Sequence, residues 1–88
     1  MRKQHTDDLL KVLVAIDDKQ LMSDVLENLL TPQEIDEIAT RVQIFIGLNN
    51  GENHRDLGSR LGVSLGTISR GSRELQYGKN GMKKVLNK

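Results

Sequence analysis

Apolar residues recur every three or four positions along most of the chain, and this spacing predicts a succession of amphipathic helices. The first predicted helix has Thr6 as its N-cap and carries a broad apolar run that ends near Ile16. A second helix opens at Asp18 or Lys19 and carries one apolar stripe to Leu29. The residues before Thr6 are polar and basic, and we expect them to form a mobile end.

The clearest helix start is the run from Thr31 to Glu34, which reads Thr-Pro-Gln-Glu. Thr31 is the N-cap, the proline takes the first helical position, and Glu34 completes a capping box. The helix that follows has apolar side chains on two faces and ends at an Asn-Gly pair before Glu52. These helices carry more apolar surface than a lone 88-residue chain can hide. The pattern therefore predicts that residues 1–51 form the core of a homodimer.

Residues 52–77 contain a second kind of pattern, two short helices joined by a tight turn. Leu57 and Leu61 lie four positions apart and share one face of the first helix. Gly62 follows where a helix end favours a left-handed backbone, and Ser64 is a good N-cap for the next helix. The arrangement is typical of a helix-turn-helix, whose second helix enters the DNA major groove. The simpler alternative is a helical hairpin that only packs.

The charges of the chain change sign at this motif. Thirteen Lys or Arg residues against twelve Asp or Glu give a net charge of +1. When the chain is divided at the motif, residues 1–52 have a net charge of −5 and residues 53–88 have a net charge of +6. The basic half would be attracted to phosphates and the acidic half repelled, which favours a nucleic-acid partner for the motif.

The sequence lacks the residues that several other functional classes require. The chain has no cysteine, so it offers neither a disulfide nor a thiolate metal site. His5 and His54 are far apart, and no carboxylate pair, thiol or phosphate loop accompanies them, so we expect no enzyme, metal or cofactor. No apolar run approaches the length of a membrane span and no signal-peptide core is present. We therefore expect a cytoplasmic protein with no membrane partner.

Several stretches within residues 29–76 resemble the tryptophan repressor family. They are Leu30-Thr31-Pro32-x-Glu34, Thr40-Arg41-Val42, Gly51-Glu52, Arg55 with Leu57, and Thr67-Ile68-Ser69-Arg70-Gly71-Ser72. The resemblance implies an all-α fold of about six helices that intertwines with a second copy. It divides a single domain, residues 1–88, into dimerisation helices (1–51), a helix-turn-helix (52–77) and a tail or short helix (78–88). The ending of the chain is similar to an uncharacterised tryptophan-repressor-like branch.

The resemblance also implies a site for L-tryptophan as an effector. In the family, guanidinium groups matching Arg41 and Arg70 flank the indole, and the second binds the carboxylate. Gly71 would leave space for the ring, and Glu74 stands where the family has a serine that contacts the amine. The implied effector-binding residues are Leu29, Leu30, Thr31, Arg41, Arg70, Gly71 and Glu74.

On the DNA side, the resemblance implies that Arg55 recognises a guanine and that the start of the second helix contacts bases largely through water. A glycine, Gly58, replaces a phosphate-binding lysine of the family. The expected function is sequence-specific repression of transcription with L-tryptophan as corepressor. The alternatives are an effector-independent or differently liganded DNA-binding protein and, more remotely, a helical interaction module. The candidate DNA-binding residues are His54, Arg55, Ser64, Leu65, Gly66, Thr67, Ser69 and Arg73.

Overall fold

The computed structural model describes residues 2–88, and these residues form helices joined by short turns, with no strand among them. The predicted all-α fold with about six helices is confirmed. In chain order the helices are α1 (Arg2–Val14), α2 (Lys19–Leu29), α3 (Pro32–Asn49), α4 (His54–Leu61), α5 (Leu65–Tyr77) and α6 (Gly81–Leu86). None of these helices combines the length and the apolar character that a membrane crossing needs.

The chain forms two compact units, of which the first ends at Ile35 and the second is Asp36–Lys88. The boundary lies within α3. No residue of α1 or α2 is buried, and their exposed large apolar side chains are Leu9, Leu10, Val12, Val14, Leu21 and Leu29. The described part of the first unit therefore has amphipathic helices without a buried core of its own.

The start of α1 differs from the prediction. The helix begins at Arg2, so Thr6 lies inside it and the predicted N-cap is wrong. Residues 2–5 are helical instead of forming the predicted mobile end, while Met1 lies outside the described residues. Arginine, lysine and glutamine are good helix formers, and hydrogen bonding of Gln4 to Asp8, at 3.0 Å, supports the first turns. The helix also ends two residues earlier than predicted, which places Ile16 in the turn.

The predicted starts of α2 and α3 are confirmed by their capping hydrogen bonds. The Asp18 carboxylate accepts from the backbone N–H of Leu21 at 2.7 Å. In the capping box, the Thr31 N–H donates to Glu34 at 2.9 Å and the Glu34 N–H donates to the Thr31 hydroxyl at 3.2 Å. Each cap satisfies backbone donors that a helix start leaves without a partner.

The core of the second unit lies where α3, α4 and α5 meet. Ile44, Leu57 and Ile68 are 3%, 0% and 0% exposed, and the partly buried Leu48, Leu61 and Val63 pack around them. Gly47 lets α3 and α4 come close, because a Cβ there would lie 2.6 Å from a methyl carbon of Leu57. The core thus holds α4 and α5 on α3.

A pair of amides attaches the end of α6 to the end of α3. The Asn49 amide donates to Asn87 at 3.0 Å, and the Asn87 amide donates back at 3.2 Å and also to the Lys83 carbonyl at 2.8 Å. The tail or short helix expected in residues 78–88 is a helix that begins at Gly81. These bonds fix the C-terminal helix on the second unit.

Candidate nucleic-acid interface and adjoining cleft

Helices α4 and α5, residues 54–77, are joined by the tight turn that the sequence predicts, and we call them the α4–α5 unit. Gly62 has a φ of 69°, a left-handed conformation that glycine adopts without a steric penalty. The Val63 N–H donates to the Gly58 carbonyl at 3.0 Å and closes the turn. Gly58 is buried, and a Cβ there would lie 3.1 Å from the Val63 carbonyl oxygen. The glycine that replaces a lysine of the family therefore lets α4 approach the turn.

The first turn of α5 combines an anchored face with an exposed one. Ser64 caps the helix by accepting the Thr67 N–H at 3.1 Å, and Ile68 is fully buried. Around the same turn, Leu65 is 52% exposed, and Gly66 and Ser69 are exposed as well. A Cβ on Gly66 would meet only the Ser64 hydroxyl, at an ordinary 3.7 Å, so internal packing does not require this glycine. Its bare backbone is open to close approach from outside.

Three further candidate DNA-binding side chains, His54, Arg55 and Arg73, are exposed, and Thr67 is half-buried. A shallow concavity of about 750 Å³ is lined by Asn53, His54, Arg55, Asp56 and Leu65. It places the start of α4 and the first turn of α5 around one depression. Arg73 lies two turns further along α5.

A second and smaller cleft, which we call the α3–α5 cleft, has a volume of about 310 Å³. It brings together four of the predicted effector residues, and its lining consists of Arg41, Ile44, Phe45, Thr67, Arg70, Gly71 and Glu74. Two arginines and a glutamate line it together with apolar residues and a glycine. A ligand with both an anionic and a cationic group and an apolar body matches this lining chemically.

The surroundings of Gly71 differ from the expectation that it leaves open space. A Cβ on this residue would lie 2.7 Å from Cγ2 of Ile44, so its absence lets α5 pack closely on α3. The remaining predicted effector residues belong to the first unit, where Leu29 ends α2, Leu30 is its C-cap and Thr31 caps α3. Their contribution to ligand binding stays a prediction.

A chain of hydrogen bonds leads from the α3–α5 cleft to the start of α5. The Arg70 guanidinium donates to the Thr67 hydroxyl at 3.3 Å, and that hydroxyl is 3.0 Å from the Ser64 hydroxyl. Ser64 in turn is the N-cap of α5. A ligand that takes Arg70 as its partner would therefore act on a hydroxyl that contacts the helix cap.

An ion pair holds the loop before α4 against that helix. Arg60 donates from Nε and a terminal nitrogen to the two carboxylate oxygens of Glu52, both at 2.9 Å. These hydrogen bonds lower the pKa of Glu52 and raise the pKa of Arg60. Glu52 was named only as part of the Gly51-Glu52 stretch, and its pairing with Arg60 was not predicted because the two residues belong to different local patterns.

The lowered pKa of Glu52 predicts a pH-dependent contribution to stability. A carboxylate whose pKa is lower in the folded state stabilises the fold above its ordinary pKa, near 4.5. That stabilisation is lost as the pH falls through the folded-state pKa. We expect Glu52→Gln to unfold at a lower temperature than the wild type at neutral pH, with the difference disappearing in strong acid. Thermal melting from pH 7 into strong acid tests this, because the difference should shrink as the pH falls through the lowered pKa of Glu52.

Arg60→Gln serves as the matched control, since it removes the other half of the same pair. It should show the same loss at neutral pH and the same convergence with the wild type in acid. A difference between Glu52→Gln and the wild type that stays constant down to strong acid would contradict an electrostatic origin.

Comparisons of this chain with known proteins agree on one family. The family described as Trp repressor protein matches residues 4–88. A Trp operon repressor homolog of Xylella fastidiosa (strain M23) is 36% identical over 88 residues, which cover 99% of this chain and 94% of the relative. A Trp operon repressor homolog of Vibrio atlanticus (strain LGP32) is 39% identical over 74 residues, 83% of this chain and 72% of the relative.

A solved structure agrees with the sequence relatives. It is a TrpR-like protein from Eubacterium eligens ATCC 27750, with a TM-score of 0.88 and 27% identity, and the match covers 96% of this chain and 87% of that one. Proteins of the family are repressor-type regulators of transcription that bind DNA, and they are not enzymes. With the family match across nearly the whole chain, the sequence relatives and the shared fold, this protein belongs to the Trp repressor family.

Proposed function

We propose that the protein is a sequence-specific repressor that inserts the start of α5 into the DNA major groove. The exposed first turn of that helix carries this proposal: Leu65, Gly66 and Ser69 are exposed while the buried Ile68 anchors the helix. A helix held by its buried face and bare at its N-terminal turn has the form that groove recognition requires. The charge of +6 over residues 53–88 supplies the attraction to phosphates.

In this proposal, different side chains around the first turn of α5 contact bases and phosphates. Arg55, beside the concavity next to Leu65, has the fork of donors that matches the major-groove edge of guanine. Leu65 offers an apolar contact for a thymine methyl group, and Gly66 lets the backbone come close. His54 and Arg73 contribute phosphate contacts, which position the protein without selecting a sequence.

The active form in this proposal is a homodimer. The described helices of the first unit bury no side chain and expose at least six large apolar residues, a surface that a second copy would cover. Two copies would also present two recognition helices to two half-sites. Sedimentation equilibrium should give twice the 9.9 kDa of the chain, and a mass of one chain would contradict the dimer.

The α3–α5 cleft is the proposed corepressor site, and L-tryptophan is the proposed ligand. Arg41 and Arg70 can stack on an indole and hold a carboxylate, and Ile44 and Phe45 contact the apolar ring. The hydrogen bond from Arg70 to Thr67 connects this ligand to the DNA-facing turn.

Glu74 is the observation that favours a second candidate at the same cleft. Glu74 lines the cleft where the family has a serine, and a carboxylate at this position can pair with an ammonium group and also disfavour ligands without one. A different zwitterionic ligand, or DNA binding without an effector, is therefore the alternative.

Binding to fragments of the source genome tests the proposed function. We expect a subset of fragments to be retarded in a gel-shift assay at physiological salt and the retardation to weaken steeply as salt rises. Added L-tryptophan should strengthen it. Charge reversal at Arg55 should abolish it, whereas an interaction module would retain its partner after that change. Failure to retard any fragment, with or without L-tryptophan, would contradict the proposal.

A further inference from the structure

The end of the chain carries positively charged residues that play no part in the proposed recognition of bases. Residues 78–88 include four lysines and neither aspartate nor glutamate: Lys79, Lys83, Lys84 and Lys88. All four are exposed, and within residues 2–88 none of them pairs with a side-chain carboxylate. We call these four residues the C-terminal lysine surface.

This surface belongs to a fixed part of the fold. The reciprocal amide bonds between Asn49 and Asn87 hold the end of α6 on α3. Asn87 also closes the helix by donating to the Lys83 carbonyl. Two of the lysines, Lys83 and Lys84, therefore project from a helix whose position is set by the second unit, which also contains α4 and α5.

Helix stabilisation explains only part of this arrangement. Lysines in the last turn of a helix interact favourably with its dipole, and Lys83 and Lys84 lie there in α6. Lys79 precedes the helix and Lys88 follows its C-cap, so neither gains from that interaction. Four exposed lysines without an acid among them give this end of the chain a positive potential that attracts polyanions.

We propose that the C-terminal lysine surface binds the phosphate backbone of DNA beside the site that α5 recognises. Lys79 follows the last residue of α5 by two positions, and α5 has 13 residues, so the surface begins about 20 Å from the base-reading turn. The lysines therefore contact phosphates flanking the recognised bases and add affinity for any sequence.

The salt dependence of binding to a long duplex of random sequence tests this inference, which rests on the proposed DNA-binding function. The variant is Lys83→Gln with Lys84→Gln. Log affinity falls with log salt, and each phosphate that a lysine no longer neutralises should make this negative slope less steep by about 0.9. Replacing both lysines in each copy of a dimer should therefore make it less steep by about 3.6. We expect weaker binding to random and recognised duplexes alike, with their affinity ratio unchanged.

Two further variants control for charge and for folding. Lys3→Gln with Lys19→Gln removes the same charge from exposed lysines of the first unit and should keep the wild-type slope. Lys83→Arg with Lys84→Arg preserves the charge and should also keep it. Thermal melting of each variant shows whether α6 and the fold remain intact.

The outcomes separate this inference from the function on which it rests. A wild-type protein that binds no duplex even at low salt overturns both. Steep wild-type salt dependence that the Lys83→Gln, Lys84→Gln variant retains, or that the control pair loses equally, overturns the lysine surface alone. Loss of binding to anionic lipid vesicles with an unchanged duplex slope would assign the surface to membranes and likewise overturn it.

Discussion

Leu57→Ala should destabilise the protein by about 2–5 kcal/mol, because it empties a fully buried position where α3, α4 and α5 meet. Domains of this size are stable by only about 5–15 kcal/mol, so the loss is a large fraction of the total. The Leu57 methyl groups also fill the space beside Gly47. Denaturant unfolding followed by circular dichroism measures the change.

Leu65→Ala is the matched control for this experiment. It makes the same chemical change on an exposed leucine of the α4–α5 unit, so its stability should fall by less than about 1 kcal/mol. Its DNA affinity should nevertheless fall, because Leu65 lies on the proposed DNA-facing turn. Equal destabilisation by the two variants would contradict the division between anchored and exposed faces of this unit.

Arg70→Ala should remove the response to L-tryptophan. A charged hydrogen bond to a ligand carboxylate contributes about 1.5–3 kcal/mol, so binding should weaken more than tenfold. The variant also removes the hydrogen bond to Thr67, and the enhancement of DNA affinity by the ligand should fall with the binding. Isothermal titration of L-tryptophan into the wild type and the variant measures the first effect, with one site expected per subunit.

Arg73→Ala separates ligand binding from DNA binding. Arg73 is an exposed arginine of the same helix and does not line the α3–α5 cleft. This variant should bind L-tryptophan as the wild type does and bind DNA more weakly. Undiminished ligand binding by Arg70→Ala would exclude the cleft as the tryptophan site. If the wild type itself takes up no tryptophan, the alternative without that effector gains support.

Features governed by hydrogen bonds between close neighbours in sequence could be predicted. The capping residues Asp18, Thr31 and Ser64 each bond to a backbone N–H three positions away, so their partners are visible in the sequence. Gly62 likewise indicates its left-handed conformation by following an apolar helix end. The exception is Thr6, whose capping chemistry was outweighed by good helix formers before it.

Features that depend on partners distant in sequence could not be predicted. Asn49 is one position in a helical pattern, yet it bonds to Asn87, 38 residues away. Gly71 was expected to leave space, and the neighbour that fills it, Ile44, comes from another helix. The α3–α5 cleft was partly foreseen through the family resemblance, which grouped Arg41 with Arg70. Local spacing alone gives no reason to bring those two arginines together.

The central claim is that α5 distinguishes one DNA sequence from others, and the most direct measurement is its specificity ratio. The affinity for a fragment selected from the genome is divided by the affinity for a scrambled duplex of equal length, at one fixed salt concentration. The proposed function predicts a ratio of about 10³ or more for the wild type, falling sharply in Leu65→Ala. A ratio near one, in a folded protein saturated with L-tryptophan, would contradict it.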